Sequence, residues 1–306
     1  MFLQSTFALG LLANTATAAF TGCGTSGSGK ALKALSMDLR NEPLEIREQK
    51  KNIEIKTYIH VIAASEKEED NYLSDESIQG QVDMLNEYYN PWNFSFKVVK
   101  TNRIVNESWS DPGSSPVEPS YEDDLRAAVR QGSYKDLNLI FVRSMVPLGK
   151  CELPIPNPTK QDVINDGCMM RPREFGKLPP KFDYVTVHEV GHWLGLEHTF
   201  KNGCEYPGDY VDDTPYEASP FGISEECPEK DRNTCPDKPG LDPIDNIMNY
   251  VSAHCGPQRF TPGQAERMHK LWKKLRANSK RTVAICKNMA IVQRAEGESS
   301  YCYRLL

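Results

Sequence analysis

No stretch of this 306-residue chain is long and apolar enough to cross a membrane. No Lys or Arg precedes the short apolar run at residues 7–13 (FALGLLA), no repeat recurs along the chain, and the basic residues form no stripe. Histidine is scarce, at six residues. These absences argue against a membrane span and against a repeat architecture. Net charge is −6, from 36 basic and 42 acidic residues, so no nucleic-acid partner is expected. A hydrophobic fraction of 39% beside 25% charged residues suits a globular chain with a substantial core.

What is present begins with the N-terminus. The apolar run is followed by Ala16-Thr17-Ala18, a small-x-small cleavage pattern, so residues 1–18 read as a signal peptide. A merely apolar, unstructured start is the alternative. Nine cysteines agree with an oxidising, extracellular destination. Residues 19–51, rich in Gly, Ser, Lys and Glu, read as a propeptide or N-terminal extension outside the core, with a short helix near residues 31–39 and a processing site at Lys50-Lys51.

Residues 53–62 alternate with β-branched side chains and predict a strand. Residues 74–90 predict a helix capped by Ser74 or Asp75, with Ile78, Val82, Leu85 and Tyr89 on one face. Strands are expected at Phe94, Phe96 and Val98 and at residues 137–142, and helices at 121–131 and 185–196. A long irregular stretch at 201–245 precedes a helix opened by Thr261-Pro262 with Gln264 completing a capping box. The order predicts an α+β domain with a small loop-rich C-terminal lobe.

Half of the histidines fall within eleven residues: His188, His192 and His198. The first two are four apart, so on a helix both imidazoles leave one face and can grip one zinc ion. Glu189, one residue on, can reach a water at that ion. Gly195 can take the left-handed conformation that ends a helix and turns the chain back, bringing His198 to the same point. Three protein ligands leave a fourth position open, as catalytic zinc requires.

His188-Glu189-x-x-His192-x-x-Gly195-x-x-His198, with Ile247-Met248-Asn249-Tyr250 downstream, resembles the metzincin zinc peptidases. Within them the chain resembles the pappalysin family, and fungal-type extracellular metalloproteases in particular. The supporting segments are residues 191–200, Asp213-Thr214-Pro215, residues 240–250 and residues 260–264. The resemblance spans roughly residues 53–275 and implies a catalytic domain at 52–275, with a C-terminal extension at 276–306. It implies a metzincin-type zincin fold: a twisted mixed sheet, backing and active-site helices, and a disulfide-bonded C-terminal lobe. It implies a secreted zinc endopeptidase cutting extended protein or peptide substrates, with Zn2+ on His188, His192 and His198. Glu189 would be the general base, Met248 the floor under the metal, and Tyr250 the oxyanion donor. It also implies the disulfides Cys204–Cys235 and Cys227–Cys255, and a structural Ca2+ in the loop carrying Asp209, Asp212, Asp213 and Thr214. A zinc site built from those four cysteines is the alternative to the pairing.

Cys151 with Cys168 and Cys286 with Cys302 lie close in sequence and are expected to pair. Cys23 is then left over. Flanked by Gly22 and Gly24, it is a candidate latency thiol that would fill the fourth metal position. Pairing with a second chain, or lipidation, are the alternatives.

Overall fold

The computed structural model describes residues 23–42, 51–112, 121–172, 184–222 and 226–279. The expected signal peptide, residues 43–50 of the N-terminal extension, and the Cys286–Cys302 pair lie outside them.

Helix α1 (Lys30–Arg40) stands before the first strand, β1 (Ile53–Ala63). Then come α2 (Asp75–Tyr89), β2 (Phe94–Val105), α3 (Glu122–Val129), β3 (Leu137–Val142), β4 (Gly149–Cys151), α4 (Lys160–Asn165) and β5 (Cys168–Met170). Helix α5 (Tyr184–Trp193) and the C-terminal helix α6 (Pro262–Leu271) follow. The expected caps are present: the Ser74 side chain accepts from Ser77 N, and Thr261 and Gln264 form a reciprocal capping box.

The sheet runs β2-β1-β3-β5-β4. The first four strands pair parallel and β4 is an antiparallel edge. Parallel strands covered on both faces bury every side chain, and β3 does so at each of its positions. Leu137, Leu139 and Phe141 face the core shared with α2, α5 and α6, including Leu85, Val187 and Met268. Ile140 and Val142 face the opposite layer, with Leu125 and Val129 of α3.

Three expected disulfides are formed: Cys151–Cys168, Cys204–Cys235 and Cys227–Cys255. The first ties β4 to β5; the other two tie the irregular lobe. Two sequence expectations need adjusting. Helix α5 ends at Trp193, short of residue 196. The N-terminal extension is not outside the core throughout, because Leu32 and Leu39 of α1 are buried with Leu153 and Leu271.

Candidate active site

Helix α5 is buried along its length from Thr186 to Trp193, so its histidines face protein on all sides. It ends in a Schellman arrangement. Leu196 N donates to Gly191 O at 2.9 Å and Gly195 N to His192 O at 2.8 Å. Gly195 sits at φ +100°, where a β-carbon would collide with Leu271 Cδ1. The turn brings His198 back: His192 Nε2 lies 3.2 Å from His188 Nε2 and 3.1 Å from His198 Nε2.

The ring orientations are set from outside the cluster. His188 Nδ1 meets Ile247 O and His192 Nδ1 meets Leu196 O, each at 2.7 Å. A carbonyl can only accept, so both Nδ1 atoms carry the proton and the Nε2 lone pairs face one another. Burial holds the rings neutral, lowering His188 to about 3 and His192 to about 4, and His198 well below its usual value. Three converging, neutral imidazoles in a buried site, two of them with Nε2 lone pairs turned inward, suit a cation, and imidazole is a standard zinc ligand.

Glu189 is also buried, and burial raises its carboxyl to about 8 although Cys23 and Thr25 donate to it. The Cys23 thiol donates to Glu189 Oε2 at 3.4 Å, and Thr25 Oγ1 donates to the same oxygen at 3.1 Å. The Cys23 sulfur and the three histidine nitrogens all lie within 4.8 Å of one another. Cys23 is held there by a parallel bridge to Gly149, with Gly24 N donating to Gly149 O at 2.8 Å. The free edge of β4 therefore carries an added segment of chain.

Tyr250 donates from its hydroxyl to Cys23 O at 3.3 Å, and its ring packs 4.9 Å from that of His198. Met248 is fully buried beneath α5, so close that a β-carbon on Gly191 would meet Met248 Sδ at 2.5 Å. Asn246 Oδ1 accepts from Met248 N at 2.9 Å, and Thr199 N donates to Met248 O at 3.2 Å, tying the methionine turn to the loop that carries His198.

The loop acids are not gathered to one point. Asp209 accepts from Val211 N and Thr214 Oγ1, Asp212 pairs with Arg40, and Asp213 accepts from Thr261 Oγ1 and Gly263 N. Several contributors escaped the sequence reading. Thr25 binds both Glu189 and Cys151 N, Phe200 stacks on His198 at 4.8 Å, and Arg267 Nε donates to Gly195 O at 2.9 Å. Phe200 lies in the segment that carried the resemblance; the other two have no local signature.

A mixed sheet above a two-histidine helix, whose chain turns at a glycine to a third histidine over a buried methionine, defines a metallopeptidase of the metzincin type. Residues 176–273 match the Peptidase_M43 family, described as pregnancy-associated plasma protein-A. An extracellular metalloprotease of Pyricularia oryzae is 42% identical over 231 residues, 73% of this chain and 76% of its own length. One of Verticillium alfalfae is 34% identical over 291 residues, 90% of this chain and 98% of that one. Among solved structures, Tannerella forsythia mature mirolysin in complex with a cleaved peptide aligns with TM-score 0.55 at 23% identity, covering 72% of this chain and 92% of that chain. A promirolysin mutant aligns at 0.58 and 21%, covering 82% and 94%; these two likenesses are of fold. The chain belongs to the Peptidase_M43 (pappalysin) family, and it is a peptidase acting on peptide substrates.

Proposed function

We propose that this chain is a secreted zinc-dependent endopeptidase held latent by Cys23. The convergence of the Nε2 atoms of three neutral imidazoles beside the Glu189 carboxyl carries the reading. Residues 1–18 are its signal peptide, 19–51 its pro-segment, 52–275 its catalytic domain and 276–306 an extension. The extracellular names of the relatives support secretion.

His188, His192 and His198 would hold the zinc, which when bound supplies Lewis acidity toward a peptide carbonyl and toward water. Glu189 takes the proton of the attacking water on Oε2 and delivers it to the departing amine. The Tyr250 hydroxyl, now directed at the Cys23 carbonyl, donates to the oxygen on which negative charge develops. An extended substrate adds to the edge of β4, where the segment at Cys23 now lies. Cys23 denies the site to water, and its hydrogen bond occupies Glu189. A structural calcium in the loop of Asp209, Asp212, Asp213 and Thr214 stays part of the proposal; Asp212 here pairs with Arg40 of the pro-segment, and Asp213 accepts from Thr261 Oγ1.

The test is casein cleavage by the full chain before and after a cut near Lys50-Lys51. Cleavage should appear after the cut, stop with a zinc chelator and return with zinc. Cys23→Ala should cleave before any cut. A parent fully active while uncut would remove the latency; chelator-insensitive cleavage would remove the zinc mechanism.

A further inference from the structure

Helix α1 is bound by more than its connection to Cys23. Its leucines at 32, 35 and 39 fall on one stripe, at i, i+3 and i+7. Leu32 and Leu39 are buried against Leu153 and Leu271, and Leu35 and Leu275 pack beside them. Polar contacts follow the same groove. Arg267 Nη2 donates to Ser36 Oγ at 3.0 Å. Lys270 Nζ donates to Leu39 O at 2.8 Å, at the helix end where free carbonyls and the dipole favour a cation. Arg40 Nε donates to Asp212 Oδ1 at 2.7 Å and Nη1 to Pro207 O at 3.1 Å, with the guanidinium 5.0 Å from the Tyr206 ring centroid. Upstream, Ser28 N donates to buried Glu197 at 3.0 Å. None of these partners is a histidine of the metal cluster, and together they cover the whole length of the helix.

We propose that this groove on α6 is a helix-binding site in its own right. Its ligand is an amphipathic helix with leucines at i, i+3 and i+7 and a basic residue at its C-terminal end. Its occupant after processing is the severed pro-segment, residues 30–40. The latency reading needs only the thiol; this site adds a second anchor that does not depend on it. Cutting near Lys50-Lys51 breaks the chain without breaking the groove contacts, so the pro-segment stays in the cleft until its helix leaves.

The experiment uses the full chain with a sequence-specific protease site replacing residues 44–49, as parent and as Cys23→Ala. After cutting, the pro-segment retained on the domain is measured by size exclusion and mass spectrometry. The site requires co-elution in both chains. Leu32→Asp and Leu39→Asp alter only the ligand helix, and each should weaken retention by about tenfold or more. Arg40→Glu should weaken it too, and Asp212→Arg in the same chain should recover it; the Asp212 side chain is 72% exposed, so the swap does not disturb the core. Loss of the fragment from Cys23→Ala with its leucines intact would overturn the site, as would full retention with both leucines replaced. Retention is read without any catalysis, so a chain that failed to cleave casein would count against the proposed function and leave this result readable.

Discussion

Arg276 closes a two-pronged ion pair on Asp166, Nη2 to Oδ1 at 2.9 Å and Nη1 to Oδ2 at 3.1 Å, with both side chains sealed from solvent. Trp193 Nε1 donates to the same carboxylate at 3.1 Å. Arg276 Nε donates to Trp193 O at 3.1 Å, and its guanidinium lies 3.8 Å from the ring centroid of that tryptophan. The last residue of the active-site helix is thereby pinned from behind by a residue one place past the expected end of the catalytic domain.

Removing Arg276 leaves the buried Asp166 with the longer contact to Arg130, at 3.4 Å, as its remaining ion pair, and breaking such a pair costs up to about 3–5 kcal/mol. Arg276→Ala should therefore lower the urea midpoint steeply with little change in slope. Arg276→Lys should recover only part, since an ammonium cannot form the fork or stack on the indole in the same way. An unchanged midpoint for Arg276→Ala would show that the pair adds nothing to stability.

A second prediction concerns acid. His60 is fully buried in β1; its Nε2 lies 3.0 Å from Asn138 Oδ1 and its Nδ1 3.0 Å from Asn102 Nδ2. The amide of Asn102 can only donate, so Nδ1 accepts and the ring is neutral. Burial lowers the folded value from 6.5 to about 4. The folded state then binds fewer protons than the unfolded chain between those values. Its stabilising share is complete above pH 6.5 and is lost as pH falls toward 4, amounting to about 3 kcal/mol. Urea melts at pH 7 and pH 4.5 should show a smaller acid loss for His60→Gln than for the parent; equal losses would assign the effect to other groups.

The three-histidine cluster was legible because its geometry is local. Four residues span one helical turn, and a glycine three places on can only mean a chain reversal or an accident. Cys23 stood out by parity alone. The docking of α1 was not legible: its leucine stripe announces an apolar partner, but Lys270 lies 231 residues from Leu39, and nothing near either residue names the other. Arg276 reads as an ordinary cation in the last turn of a helix, and only the fold supplies Asp166. The acidic loop shows how little composition says about partners. Composition offers oxygen ligands at Asp209, Asp212 and Asp213, whereas each carboxylate satisfies a different donor.

Glu189→Gln keeps the volume of the side chain and removes the proton acceptor. The cut enzyme should hold zinc with unchanged stoichiometry and lose about 10²–10⁴-fold in kcat, with KM little altered. Zinc content by atomic absorption and peptide cleavage by mass spectrometry together decide it. Near-parental turnover with zinc bound would mean that another group moves the proton.

Gly195 tests whether the chain reversal presents the third ligand. Its φ of +100° lies where an L side chain is strained, and a β-carbon there would run into Leu271, one of the residues buried beneath α1. Pro154 stands close on the same side, with its Cγ 3.3 Å from the added carbon. Gly195→Ala therefore forces the turn to open. The hydrogen bond from Arg267 to Gly195 O and that from His192 Nδ1 to Leu196 O are the first to stretch. Because His198 hangs from this turn and His192 takes its tautomer from it, two of the three proposed ligands are affected while the helix carrying His188 remains. The expected result is a fall in zinc affinity of about 10- to 100-fold, the range for loss of groups that orient ligands. Competition with a chromogenic chelator measures it directly, and near-ultraviolet circular dichroism checks that the core around Trp193 and Trp272 is intact. Gly203→Ala, at a second positive φ with its nearest neighbours no closer than 3.7 Å, is the control for backbone strain alone and should leave zinc affinity near the parent value. If both variants bound zinc as the parent does, the turn at Gly195 would not be what brings His198 to the metal.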